Sequence, residues 1–257
     1  MQIIDVDQRS DEWFEARSGL ITGTRVKDVK PLLRKGKTGK QPIGLWKLVT
    51  DYVSYGAEDM RPMQRGTLLE DENAELCVET MHLKNAKIKC GMWKADNGML
   101  GYSPDASEDG EHPTWAIECK SLDTAEHLYL IMNDLWALGM LPDKYEELFP
   151  QRVGEYRGID SVAEEHRQQV KQAFVVNPNL EVLYYSLYDP RIVLPSFTHY
   201  VITVQRKEME DEIAEQTQMV ERQASLARDI AILLSGLQKI GNKDGAGRSN
   251  QSVTPDN

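Results

Sequence analysis

Three cysteines in 257 residues, Cys77, Cys90 and Cys119, are too few and too scattered for a covalent or metal-stapled scaffold. Without a CxxC spacing they argue against a disulfide framework or a zinc knuckle and fit a reducing cytoplasm. Histidine is equally sparse: His82, His112, His127, His166 and His199 stand apart, with no metal-ligand spacing. No run of eighteen apolar residues occurs, and the opening Met-Gln-Ile-Ile-Asp-Val-Asp lacks the basic start and apolar stretch of a signal peptide. The expectation is a soluble, cytoplasmic protein with no membrane role. No internal repeat is visible. Net basic charge is missing too, since 41 acidic against 30 basic residues give a formal charge of -11, which as an average counts against a nucleic-acid partner.

Charge distribution changes that inference. From Arg25 to Lys40 there are seven basic residues (Arg25, Lys27, Lys30, Arg34, Lys35, Lys37, Lys40) against one acid, Asp28. With Gly36 and Gly39 among them, this stretch reads as a mobile basic loop suited to phosphates, or as a plain solvated loop. Acids concentrate instead from Glu58 to Glu79 and from Glu208 to Glu221, where outward helix faces are expected.

The length allows one large core. Apolar spacing predicts helices at Asp11–Ser18, from Thr22 or Thr24 as cap to Leu33, and at Pro42–Tyr55. A further helix is expected over Pro62–Met81, with Leu68, Leu69, Leu76 and Val78 as core candidates. Others are expected at Thr124–Leu138, Ser161–Phe174 and Lys207–Leu234. Strands are expected within Ala86–Lys120, including Lys89–Trp93 and Thr114–Ile117, and at Val182–Tyr188 and His199–Val204. Gly139–Gly158 reads as an irregular insert. Together these elements describe an α/β protein of mixed α+β type, a central mixed β-sheet flanked by helices. One domain spans residues 1–237, and the small, polar, glycine-rich 238–257 reads as a disordered tail.

The most informative residues are Ser103-Pro104-Asp105 and, thirteen positions after Asp105, Glu118-Cys119-Lys120. On a strand, i and i+2 share a face, so Glu118 and Lys120 point together while Cys119 points into the core. Two carboxylates and an amine at the ends of adjacent extended segments can hold a hard divalent cation and orient a water beside it. Each piece also has an ordinary reading: Asp after Pro is a turn residue, and Glu-x-Lys suits a solvated strand face. The apolar run before Glu118 tips the balance, because a carboxylate ending a buried strand is costly unless something pairs with it. Glu70, inside a helical stretch beside Leu68 and Leu69, either leans into the same cleft or interacts with the helix dipole. Arg17 before Ser18-Gly19, with Thr24, forms a candidate anion pocket, and Gln169 is a helix residue that either lies on the surface or completes a site.

Taken in order, Trp13-x-x-x-Arg17-x-Gly19-x-Ile21-Thr22-Gly23-Thr24, Arg65-Gly66-x-x-x-Glu70, Ser103-Pro104-Asp105, Glu118-Cys119-Lys120, Gln169-Val170 and Tyr188-Asp189-Pro190-Arg191 resemble the phage lambda exonuclease family, within the PD-(D/E)xK nuclease superfamily. The likeness covers about residues 10 to 205. It implies a restriction-endonuclease-like core in which Asp105 and Glu118 hold one or two Mg2+ ions, Mn2+ being a candidate substitute. The backbone carbonyl of Cys119 would be a further ligand, Lys120 would position the attacking water, and Glu70 would be the helix glutamate of the catalytic set. Arg17, Thr24, Ser103 and Gln169 match positions that hold a terminal 5′-phosphate.

The implied activity is a 5′-to-3′ exonuclease on linear double-stranded DNA that releases 5′-mononucleotides and leaves 3′ overhangs for recombination. The implied partners are double-stranded DNA ends, a single-strand annealing protein and two further copies in a homotrimer ring, all in the cytoplasm of a phage-bearing bacterium. The family's further acidic residue is matched only loosely by Asp96, and the insert at 139–158 has no clear counterpart. Alternatives are an endonuclease or junction resolvase on the same core, or a non-catalytic DNA-binding subunit.

Overall fold

The computed structural model describes residues 1–17, 20–26, 64–122, 124–143, 156–190, 192 and 194–246, without the side chains of 64–68, 124–126 and 237–246. Strand β1 (Gln2–Ile4) and helix α1 (Asp11–Arg17) precede a single 3-10 turn at Gly23–Arg25. Helix α2 (Gln64–Thr80) leads into the strands β2 (Ala86–Ile88), β3 (Met92–Lys94), β4 (Gly101–Tyr102), β5 (Ala106–Glu108) and β6 (Trp115–Lys120). Then come α3 (Thr124–Ala137), α4 (Arg167–Val176), β7 (Val182–Tyr188), β8 (His199–Gln205) and α5 (Glu210–Ala246).

Five strands form one sheet in the order β2-β5-β6-β7-β8, parallel between β6 and β7 and antiparallel elsewhere; β1-β3-β4 form a smaller antiparallel sheet. Strand alternation sorts the side chains of the larger sheet onto two covered faces. Ala116, Leu183, Tyr185, Leu187, Ile202 and Val204 are buried in a core shared with Leu130 and Ile131 of α3, Val170, Ala173 and Phe174 of α4, and Val220, Ala224 and Ala227 of α5. Ile117 and Cys119 point the other way, to Ala74 and Cys77 of α2. β6 therefore lies in the sheet interior with helices on both sides, as the sequence pattern requires.

Polar side chains hold the α4 layer in place. Arg206 donates to the carbonyls of Phe174, Asn177 and Leu180 at 2.7, 2.8 and 2.7 Å, satisfying groups freed where α4 ends. Ahead of α4, Gly158 meets β8 so closely that a Cβ would lie 1.9 Å from the Thr203 carbonyl oxygen. On α5, Glu212 pairs with Arg157 at 2.7 Å and with Lys171, while Glu208, in the 3-10 turn just before α5, accepts the Gly158 N–H at 3.1 Å. These two acids were expected on an outward face. They are instead the anions that fasten α5 to α4 and to the residues before it, which charge counting along one helix cannot reveal.

Three other expectations are corrected. The buried stripe of α2 is Asn73, Ala74 and Cys77, while Leu69, Leu76 and Val78 are only partly buried. Asn73 is tolerated there because it donates to the Ser186 carbonyl at 3.0 Å and accepts from the Ser186 hydroxyl at 2.7 Å. Thr22 makes no side-chain cap bond at the Gly23–Arg25 turn, and its hydroxyl and that of Thr24 both accept from Arg17. α5 continues to Ala246, past residue 237 where the tail was expected to begin. The helices expected beyond Val26 and at Pro42–Tyr55, most of the basic stretch, and residues 144–155 of the insert lie outside the described residues.

Candidate active site

The site is built by a strand register. Ala106 of β5 pairs with Ile117 of β6, and Asp105, just before β5, lies beside that pair at the Glu118–Cys119 end of β6. The Asp105 N–H donates to the Ile117 carbonyl at 3.1 Å, and the Asp105 carboxylate accepts the Cys119 N–H at 2.7 Å. Asp105 is thus tied by backbone bonds on both sides. Lys120, two residues beyond Glu118, folds back to pair with it, and the Cys119 side chain points to the opposite face as expected.

Glu118 is only 2% exposed, a placement that needs compensation. It receives three donors: the Lys120 ammonium, the Gln169 side-chain amide, and the Tyr102 hydroxyl at 2.5 Å. Desolvation, reinforced by the charges of Glu118 and Glu70, lifts the Asp105 carboxyl well above its ordinary range. Burial pushes the Lys120 ammonium down, but Glu118 and Asp105 outweigh it and hold its pKa above 10.5. Lys120 is consequently a fixed cation at neutral pH, suited to orienting a water or a phosphate oxygen rather than to accepting a proton.

A second cluster adjoins the first. Arg17 stacks over the Trp13 ring, 4.2 Å from its centroid, and donates to the hydroxyls of Thr22 and Thr24 at 3.2 and 3.3 Å. Trp13 donates through Nε1 to Ser103 at 3.0 Å, and Ser103 donates in turn to the Gly91 carbonyl at 2.6 Å. The turn carrying these threonines is anchored to the β3–β4 hairpin by the Ile21–Leu100 bridge and to α4 by Gln172, which donates to the Ile21 carbonyl at 2.8 Å. Gly23 lets α4 approach: a Cβ there would stand 2.8 Å from Cγ of Gln169 and 3.2 Å from the Tyr102 ring. Gln169 therefore packs against the turn that carries Thr22 and Thr24 while donating to Glu118.

The sequence-predicted residues Asp105, Glu118, Lys120 and Gln169 are brought together, and Arg17, Thr24 and Ser103 form the adjoining group around Trp13. Glu70 is close enough for its charge to be felt at Asp105, but its carboxylate pairs with Arg9 at 2.5 Å. Asp96 is exposed at the tip of the β3–β4 hairpin, bonded to the Met1 amine at 2.5 Å and apart from these groups. Tyr102 and Arg9 were missed from sequence. Tyr102 immediately precedes Ser103-Pro104-Asp105, which was the available signal; Arg9 gave none.

Among the described residues, no three His, Cys, Asp or Glu side chains form a ready-made metal cage. The donor set present is two carboxylates, those of Asp105 and Glu118, with the main-chain carbonyl of Cys119 directly after the second and the Glu70 carboxylate near enough for its charge to act on Asp105. Such hard oxygen donors fit Mg2+, which is commonly held by one or two carboxylates and completes its shell with water and substrate phosphate. Burial first, and then the charges of Glu118 and Glu70, lift Asp105, and a divalent cation would offset that accumulated negative charge.

No protein-family model matches the sequence, and neither does any curated protein. Among solved structures the chain is similar to an alkaline exonuclease from Laribacter hongkongensis, at 19% identity and a TM-score of 0.64 over 90% of this chain and 98% of that one. It is also similar to the same exonuclease, LHK-Exo, in complex with dAMP, at 18% identity and a TM-score of 0.59 over 89% and 100% of the two chains. At this identity the likeness is one of fold. What the chain shares with that exonuclease is the architecture of a mixed sheet flanked by helices.

Proposed function

We propose that this protein is a Mg2+-dependent exonuclease that digests linear duplex DNA from its 5′ ends, releasing 5′-mononucleotides and leaving 3′ single strands for annealing-type recombination. The observation that carries the reading is Gln169, which donates to Glu118 of the carboxylate–lysine cluster and packs against Gly23, between the two threonines that Arg17 bonds. A hydrolytic site with an anion pocket beside it has a reason to measure one nucleotide from a phosphorylated end. The structural neighbour is itself an exonuclease and was solved with dAMP, the product class proposed here.

The chain's own groups divide the work. Arg17, with Thr24 beside it, receives the terminal 5′-phosphate, and Gln169 sits at the boundary between that pocket and the scissile bond. Asp105 and Glu118 would hold the metal, their carboxylates fixed by the Cys119 N–H and the Tyr102 hydroxyl. Bound Mg2+ supplies charge neutralisation at the phosphate and a more acidic water. Lys120 is placed to orient a water for in-line attack on phosphorus, with the P–O3′ bond breaking and the leaving 3′-oxygen taking up a proton. The nucleotide released keeps its 5′-phosphate, and the shortened strand presents a new one to Arg17. Successive cuts thus regenerate the same substrate end.

A homotrimer ring around the duplex and delivery of the 3′ strand to a single-strand annealing protein complete the proposal. Incubating 5′-labelled and 3′-labelled linear duplex with Mg2+, and with chelator, tests the activity and its polarity; a covalently closed circular duplex should stay intact. Cleavage of the circle would favour an endonuclease or junction resolvase, and no metal-dependent cleavage of either would favour a DNA-binding subunit. Mass measurement in solution should return three subunits.

A further inference from the structure

Arg9, between β1 and α1, brings a second cation to the carboxylate cluster, and its backbone is in an unfavourable conformation. Its φ is 69°, the left-handed region that glycine enters freely and long side chains rarely adopt. From there its guanidinium reaches α2 and pairs with Glu70 at 2.5 Å. Both side chains are partly shielded, 35% exposed for Arg9 and 18% for Glu70, so the pair is screened less than an open surface pair. Of the carboxylates in the predicted catalytic set, Glu70 is the one committed to a cation from outside it. Strained backbone of this kind persists where the surrounding structure enforces it, and it concentrates at sites that switch or bind.

We propose that Arg9 is a resident counter-cation that competes with the divalent metal for Glu70, so that the Arg9–Glu70 pair sets the metal affinity of the site. The inference rests on the metal-dependent reading above. A metal that draws on Glu70 must first displace the guanidinium, and any metal held nearby is repelled by it. By linkage the effect is reciprocal: bound metal weakens the Arg9–Glu70 pair by the factor by which the pair weakens the metal. Release also frees Arg9 to leave its left-handed conformation. Arg9 is in this account a positioning residue acting through Glu70, without contact to the reacting phosphate.

The test is Mn2+ binding to DNA-free protein, read by electron paramagnetic resonance, for the unaltered chain and for Arg9→Gly, Arg9→Gln, Arg9→Lys and Glu70→Gln. Arg9→Gly suits the backbone, so its thermal stability should equal or exceed that of the parent while Mn2+ binds about 3- to 10-fold more tightly. Arg9→Gln, which keeps the side-chain length without the charge, must tighten binding too, whereas Arg9→Lys should stay near the parent. In a Glu70→Gln background the effect of Arg9→Gly should shrink. Unchanged or weaker Mn2+ binding in Arg9→Gly or Arg9→Gln overturns the competition while leaving the metal site standing. Failure of every variant and of the parent to bind Mn2+ overturns the metal-dependent reading and this inference together.

Discussion

The Tyr102 hydroxyl donates to Oε2 of Glu118 at 2.5 Å, between side chains of residues that are only 1% and 2% exposed. A buried carboxylate depends on each of its donors, because water is absent to replace any of them. Tyr102→Phe keeps the ring in place and removes one donor. Unfolding in denaturant should show a loss of about 1.5–3 kcal/mol, the usual worth of a hydrogen bond to a charged group. Turnover should fall as Glu118 loses its fixed orientation.

Gly23 provides the space in which Gln169 lies. Gly23→Ala places a methyl group 2.8 Å from Cγ of Gln169, so α4 or the side chain must withdraw. Exonuclease turnover should drop about tenfold or more while circular dichroism stays native, because displaced positioning groups cost rate before they cost folding. A full-rate Gly23→Ala protein would remove Gln169 from the link between the two clusters.

Lys120→Ala and Glu118→Ala should each reduce digestion of linear duplex by about 100-fold or more, the range expected when a group acting on the attacking water is lost. Duplex binding measured in the presence of chelator should persist in Lys120→Ala.

Arg17→Ala should act on choice of end rather than on chemistry. The expected result is a reduced ratio of rates on 5′-phosphorylated and 5′-hydroxyl duplex, with the rate on 5′-hydroxyl ends little changed. An unaltered ratio would remove Arg17 from the end-binding role.

His199 gives the protein an acid limit of stability. Burial first, and then the neighbouring His127, lower its pKa from 6.5 to about 4, and its ring bonds the Ser186 hydroxyl at 2.9 Å. Between these values the unfolded chain binds a proton that the folded chain refuses, so stability rises with pH across that window and is lost as pH falls from 6.5 towards 4. Melting temperature should decline through that interval, and His199→Gln should flatten the decline.

Much of strand β6 was legible because its pattern depends on alternation. Glu118 and Lys120 share a face and Cys119 does not, a consequence of the two-residue period that needs no tertiary information. Strand β7 was recovered at its full bounds for the same reason: Val182–Tyr188 is dense in β-branched and aromatic residues. What failed involved partners distant in sequence. Asn73 was passed over as core because its burial depends on Ser186, more than a hundred residues away, and Glu208 and Glu212 look like solvent-facing acids until Arg157, Lys171 and Gly158 are placed beside them. Thr22 and Thr24 read as helix caps, and only the return of Arg17 shows what their hydroxyls accept. The Arg9–Glu70 pair was hidden from sequence, since left-handed backbone at an arginine leaves no compositional trace.

Asp105 is held against β6 by main-chain bonds, its N–H to the Ile117 carbonyl and its carboxylate to the Cys119 N–H, whatever the number of residues that join the two strands. The connection from Asp109 to Thr114 lies outside both strands and is largely exposed. Related chains can therefore lengthen or shorten that hairpin loop without moving either carboxylate, so a search keyed to a fixed gap between the two motifs would discard true relatives. Hydrogen-bond pairing across β5 and β6 is the sounder signature for finding them.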